Sequence, residues 1–304
     1  MTTTSEFDSF GPWIDEVRSA DQVPRLFSGY PLDLATARLV LKVPRNITRR
    51  DATPDMDLYD HLLVLDDHRL LALTRREDAA TGFTVEQVPL SGIAWVRDTV
   101  NLLAGTLTVA ARDGATVTVP YNGSSRERVQ RLIDALLADA AGAGPSRTGA
   151  TLIDVGREHA DPVAAFDLGR EDQGLVGDLR DLVRHRPWFR PWVGHGRRRV
   201  RGGLSPVTVQ AAVLAEDEGV LEILGRHEWL LGGRQPVHSS GRLIVPFEAI
   251  EDVRVAGHPR FASAVIGGFR VGASEVEIIV PEGSGAHRVL DATARSTVGS
   301  PYGN

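Results

Sequence analysis

Val88-Pro89-Leu90-Ser91-Gly92-Ile93-Ala94-Trp95-Val96-Arg97 returns later in the chain as Val245-Pro246-Phe247-Glu248-Ala249-Ile250-Glu251-Asp252-Val253-Arg254. Each copy leads to a β-like run ending in Val-Pro and then to a Gly-Ser turn. The runs are Val117-Thr118-Val119-Pro120 before Asn122-Gly123-Ser124, and Ile278-Ile279-Val280-Pro281 before Gly283-Ser284. Upstream, Leu63-Val64-Leu65-Asp66-Asp67 matches Val213-Leu214-Ala215-Glu216-Asp217. Three markers in the same order imply two related domains.

Working outward, the first repeat opens near Tyr59. His61 to Leu65, a polar Asp66-Asp67-His68-Arg69 turn and Leu70 to Thr74 read as a hairpin. Leu107 to Ala111 and Val117 to Val119 flank Asp113-Gly114, residues that tolerate the positive φ of a tight hairpin. The period then changes from two to 3.6. Ser124 and Glu127 have capping-box spacing, and Val129, Leu132, Ile133, Leu136, Leu137 and Ala140 share one helical face. The second repeat reads as strands at Gln210–Leu214, Val220–Leu224, Leu243–Val245, Val265–Val271 and Val276–Val280. Its closing helix, Ala286 to Ala292, is short and weakly amphipathic, so the second copy is expected to be degenerate. The expected class is α+β, mainly β: two bent antiparallel sheets or partial barrels, each closed by a C-terminal helix.

The unduplicated parts are an N-terminal segment and a middle region. In the first, Pro12 to Val17 suggests a short helix, with Trp13, Ile14, Val17, Leu26 and Phe27 docking on a neighbour. Leu39 to Val43 is a strand stopped by Pro44. Ala141 to Ser146 is the best linker, Val163 to Leu168 a strand, and Leu175 to Val183 a helix ending before Pro187.

With 304 residues the chain is long enough for two buried cores. Hydrophobic content of 42% and charged content of 24% are those of an ordinary globular protein. No run reaches the roughly 18 apolar residues of a membrane span, and Met1 to Glu6 lacks the pattern of a secretory signal. A cytoplasmic location, with membrane-peripheral binding as the variant, is the expectation. Absence of cysteine excludes disulfides, thiol nucleophiles and thiolate-bound metals. Lys42 is the only lysine; the arginine preference reads as coding bias.

The hairpin from Leu63 to Thr74, the run Val88 to Ile93 and the helix from Arg126 to Ala138 carry a resemblance. Each repeat resembles a bacterial pleckstrin-homology-like domain, related in shape to the GRAM and pleckstrin-homology folds, over rather more than half of the chain. A lipocalin-like barrel or a β-sandwich does not explain a helix recurring after each strand set. The resemblance implies the boundaries 1–57 (accessory segment), 58–141 (first domain), 142–203 (linker region) and 204–304 (second domain). It also implies a binding module, since such domains bind lipids, peptides or sister subunits. Lipid-binding members carry basic residues between their first two strands. With Asp66-Asp67-His68-Arg69 and Glu216-Asp217-Glu218-Gly219 taken as those loops, the acidity argues against phosphoinositide binding there.

One segment could carry a separate function: Arg184-His185-Arg186-Pro187-Trp188-Phe189-Arg190-Pro191-Trp192-Val193-Gly194-His195-Gly196-Arg197-Arg198-Arg199-Val200-Arg201. It holds seven arginines and no acid on a chain of net charge −6. Such asymmetry points to an anionic partner, through Arg184, Arg186, Trp188, Phe189, Arg190, Trp192, Arg197, Arg198, Arg199 and Arg201. Arginine beside tryptophan suits an anionic bilayer surface and, less well here, nucleic acid. The favoured alternative packs Trp188, Phe189 and Trp192 between the domains with the arginines paired to acids.

Enzyme signals are weak. The nine histidines never form a His-x-x-x-His pair, and no phosphate-binding Gly-Lys loop exists. Gly283-Ser284-Gly285 falls short of a nucleophile elbow. Asp60-His61, Asp67-His68, Asp66-Asp67 and Glu216-Asp217-Glu218 read as solvated turn residues. The expectation is therefore a non-catalytic scaffold with no cofactor and no metal. Its partner is an unidentified protein, with edge-strand addition as the binding mode; an anionic membrane surface comes second, and an enzyme of unfamiliar type, with a cleft gathering His or Asp side chains from both repeats, third. The oligomeric state is left open.

Overall fold

The computed structural model describes residues 6–138, 144–200, 207–233 and 238–298. The chain is α+β and mainly β, its sheets are antiparallel, and among the described residues none closes into a barrel. A short helix α1 (Glu6–Ser9) precedes β1 (Asp15–Glu16), β2 (Leu39–Pro44), β3 (Tyr59–Leu65), β4 (Arg69–Arg75) and β5 (Phe83–Pro89). These strands pair in sequence order as one sheet. Asp66 shapes the β3–β4 turn by accepting from the backbone N–H groups of His68 and Arg69, both at 2.8 Å. A 3₁₀ turn at Leu90–Gly92 redirects the chain into β6 (Ile93–Asn101), β7 (Ala104–Ala111) and β8 (Thr116–Asn122), then α2 (Arg126–Leu137).

Helix α2 buries Val129, Leu132, Ile133 and Leu136 against inward residues of both strand sets, among them Leu63, Leu70, Val96 and Val119. Each such side chain contributes roughly 1.5–3 kcal/mol. The opposite face of β2–β4 is also covered. Phe10, Val17 and Phe27 pack on Val40, Leu62 and Leu71, which is why β3 is apolar at successive positions instead of alternating. Pro12 to Val17 is not the expected helix. Ile14 is buried and donates its N–H to Ser125 Oγ at 2.9 Å, and Val17 N–H reaches the Val40 carbonyl, which lays the segment extended along β2. Trp13 stays exposed. The Ser124–Glu127 capping box does not form either: Asn122 accepts from the Ser124 N–H and hydroxyl instead.

The middle region supplies α3 (Arg147–Glu158), α4 (Pro162–Phe166) and α5 (Gln173–His185). The strand expected over Val163 to Leu168 is thus a helix through Phe166. Asp161 caps it by accepting from Ala164 N–H, and Pro162 sits at its first position, a start signal that outweighs the short apolar run. The linker residues 141–143 lie outside the described residues.

There follow β9 (Arg190–His195), β10 (Arg198–Val200), β11 (Val207–Val209), β12 (Ala212–Asp217), β13 (Val220–Gly225), β14 (Leu230–Gly232) and β15 (Ser239–Pro246). Then come β16 (Asp252–Gly257), β17 (Ala264–Val271), β18 (Ser274–Pro281) and α6 (Gly285–Val298). Strands β9, β12, β13 and β15 pair in that order, as β2, β3, β4 and β5 do; β16–β18 and α6 then repeat β6–β8 and α2. Strands β10, β11 and β14 form a small extra sheet. The second copy is therefore not a stub. Its closing helix has 14 residues against 12 in α2. Beyond Ala292 the sequence turns polar, yet Thr293 is fully buried because its hydroxyl returns to the Val289 carbonyl. Helices α4 and α5 cover the outer face of this second strand set, placing Ala165, Leu175 and Leu179 on Ala211, Val213 and Leu224.

The two copies are joined by backbone pairing. Strand β6 runs antiparallel to β15, from Asn101 opposite Ser239 to Val96 opposite Ile244. One seven-stranded sheet, β8-β7-β6-β15-β13-β12-β9, results. A second contact sets the β17–β18 turn on the end of β7: Ala273 N–H bonds the Arg112 carbonyl at 2.7 Å, and Ser274 Oγ bonds the Ala111 carbonyl at 2.6 Å. The cores interlock accordingly, with Val220 and Ile244 in the first and Ala94 and Ala110 in the second. Among the described residues no helix is long and apolar enough to cross a membrane.

Candidate interaction site

The arginine–tryptophan stretch is distributed over several environments. Trp192 is buried in β9 and stacks on Phe247 with ring centroids 6.1 Å apart; Phe189 is buried under α5. Trp188 is 56% exposed. Arg184 pairs with Asp181 on the surface, and Arg190 lies 3.7 Å from Glu216. Arg197 is clamped on Glu171 and the buried Asp172, while Arg198 donates to the Glu282 carbonyl at 3.0 Å. Arg199 is exposed, and Arg201 lies outside the described residues.

Arg186 belongs to a network that joins the repeats. Its guanidinium meets Asp134 of α2 at 2.7 Å, Asp217 of β12 at 3.0 Å and Glu222 of β13 at 3.5 Å. Glu222 in turn accepts two bonds from Arg242 of β15, at 2.6 and 3.0 Å. Glu222 is fully buried, and burial pushes the Asp217 carboxyl above its ordinary range. Over this network α2 and α5 bound a groove of about 390 Å³, lined by Arg126, Asp178, His185, Arg186 and Arg242. A smaller cavity of about 230 Å³ shares His185, Arg186 and Arg242 with it and is lined by Trp188. Both signs of charge line the groove, and most of them are spent on one another.

Several sequence expectations change here. Glu216 and Asp217 are not solvated: Glu216 holds Arg157 at 3.0 Å and Asp217 holds Arg186. His61 is buried, its Nδ1 3.1 Å from Thr74 Oγ1, and burial pulls its pKa down to about 4. Asp67 and His68 are exposed turn residues as expected. Because β2 and β9 open the two strand sets, the acidic turns join second and third strands. The connection between first and second strands is 45–58 in one repeat and 196–211 in the other, and the latter carries Arg197, Arg198 and Arg199.

Sheet edges are the remaining exposed feature. The seven-stranded sheet is blunted at both ends, by Pro120 within β8 and Pro191 within β9. Strand β18 carries exposed Glu275 and Glu277, and β1 is two residues long. Strands β10 and β14, the edges of the small sheet, have three residues each, which leaves β5, free of proline up to its exposed last residue Pro89, and β16. Strand β5 exposes Val85, Glu86 and Gln87; β16 exposes Arg254, Ala256 and Gly257. The sequence reading passed over these residues and over the Glu222–Arg242 pair. A lone charge inside Val220-Leu221-Glu222-Ile223-Leu224 was the signal for the pair.

No family model matches the chain, and no curated protein or solved structure matches it.

Proposed function

We propose that the chain is a non-catalytic interaction scaffold made of two pleckstrin-homology-like units, which engages a protein partner by strand addition. The order of four strands, three strands and a closing helix, met twice, supports the likeness. The observation that carries the function is the β6–β15 ladder: one unit already holds the other by its sheet edge, and β5 and β16 each have no strand on one side. Strand addition supplies affinity through main-chain hydrogen bonds and specificity through alternate side chains. A photo-crosslinking residue at Gln87 or Ala256 in living cells is expected to trap protein adducts of discrete mass, with none from Arg180 on the outer surface of α5. Absence of protein adducts at both edges would overturn the reading.

A second reading rests on Arg198 and Arg199, which are exposed in the connection where the resemblance places lipid-contacting basic residues. Binding to an anionic membrane through this connection predicts co-sedimentation with phosphatidylserine vesicles at low salt, reduced in an Arg198→Glu/Arg199→Glu variant. Arg198 and Arg197 already have partners within the chain, so the interaction scaffold is preferred.

A further inference from the structure

Strands β5 and β16, each without a strand on one side, are the counterparts of the two strands that pair inside the molecule. Aligning Val88-Pro89 on Val245-Pro246 sets β5 equivalent to β15 and β6 equivalent to β16. Inside the chain, the fifth strand of the first repeat grips the fourth strand of the second. Left over are the fourth strand of the first repeat and the fifth strand of the second. We propose that these edges pair between molecules, so that a second copy of this chain adds its β5 to β16 and the protein assembles head to tail. The inference rests on the strand-addition reading and names its partner.

Register follows from the internal junction. There Ser240 lies opposite Val100, Arg242 opposite Asp98 and Ile244 opposite Val96. Carried over, the same register sets Phe83 opposite Gly257, Val85 opposite Val255 and Gln87 opposite Val253 of the next copy. Backbone direction agrees with this. Arg76 N–H bonds the Gly82 carbonyl and Leu90 N–H the His68 carbonyl, so alternation along β5 turns Gly82, Thr84, Glu86 and Val88 toward β4. Phe83, Val85 and Gln87 therefore direct their N–H and C=O groups outward. On β16, His258 N–H bonds the Ala264 carbonyl, so Val253, Val255 and Gly257 turn away from β17 by the same alternation. Val253 is buried where α6 packs along the strand, which leaves Val255 and Gly257 as the reachable part of this edge. The residues turned away from β4 and β17 are those the register makes partners, with Val255 and Gly257 the reachable ones on β16.

Side chains fit as well. Val85, 44% exposed, meets Val255, which is half-buried. Glu86 meets Arg254, whose present partner is Asp252 two residues away at 2.8 Å. Opposite charges directly across a ladder favour pairing, and like charges disfavour it. A contact between different surfaces on the two partners is heterologous; it closes into a ring or grows into a filament, according to the rotation per step.

Sedimentation velocity of the purified full chain across the micromolar range tests this. The wild type is expected to gain mass in whole-chain steps as concentration rises. Val85→Pro removes an outward N–H on one edge, and Val255→Pro does so on the other, at positions where proline spares the inner ladder. Each variant alone is expected to sediment as a monomer, and their equimolar mixture as a dimer that grows no further. Glu86→Arg and Arg254→Glu should each weaken association several-fold, with the double exchange restoring it. Circular dichroism melting confirms that each variant is folded; the charge variants decide the matter if a proline variant is not. A wild type monomeric throughout, or association unchanged in the edge variants, overturns the proposal. Crosslinking at Gln87 or Ala256 to a different protein overturns self-assembly while leaving strand addition standing; crosslinking to nothing removes both.

Discussion

At the scale of single residues, burial decides which charges the molecule keeps. Glu222 and Arg242 lose nearly all contact with water, and two short hydrogen bonds between them offset that desolvation. His61 and His195 take the other course and stay neutral. Burial dominates both and holds each pKa at about 4; Asp60 and Arg75 face the first, Asp172 and Arg198 the second. The unfolded chain binds a proton near the ordinary histidine value of about 6.5, which the folded chain refuses until pH approaches 4. The stabilisation is therefore complete above the unfolded value and is lost as pH falls through this window. At pH 5 it amounts to about 2 kcal/mol lost per histidine. Urea unfolding at pH 7 and pH 5 should show the wild type weakening more than His61→Gln by about that amount. An equal loss in both proteins would mean that His61 titrates normally.

Among the elements, α3 is placed by what its side chains lack. Gly149 leaves room for the Phe247 carbonyl and Gly156 for the Trp192 ring, so the helix lies close on the second repeat. Gly156→Ala drives a methyl group into that indole and should cost about 1–3 kcal/mol in a denaturant titration. Gly177, inside α5, has nothing within 4 Å of a built Cβ, and Gly177→Ala should stabilise by about 0.5–1 kcal/mol. Opposite signs for two chemically identical changes separate close packing from helix propensity. The strands were legible in the sequence because the hairpins β3–β4 and β7–β8 are marked by Asp66-Asp67 and Asp113-Gly114 between apolar runs. The end of α6 was not, because Thr293 is buried through a bond to its own helix that no hydropathy pattern records. Nor was Trp192 separable from Trp188: four residues apart, one is in the core and one in solvent, a difference set by the turn after α5.

For the whole molecule, the repeat announced the duplication but not how the copies join. That junction depends on which edge of each sheet is left uncovered, a property of the assembled sheets and of the segments packed against them. The N-terminal segment and the middle region do equivalent work here: each covers the outer face of the four-stranded set that follows it. With both faces covered, the β6 and β15 edges are the surfaces that meet. A continuous sheet, interlocked cores and the Arg186–Asp134 bridge then couple the copies. Unfolding either copy would expose Val220 and Ile244 or Ala94 and Ala110 and strip six residue pairs from the ladder. Chains of this size commonly unfold in steps, domain by domain. Here a single transition is expected: in a urea titration, far-ultraviolet circular dichroism and tryptophan fluorescence should fall together at one midpoint. Circular dichroism reports both copies, whereas Trp192 and Trp229 report the second core. Two resolved midpoints would show that the ladder between β6 and β15 contributes less than each copy's own core.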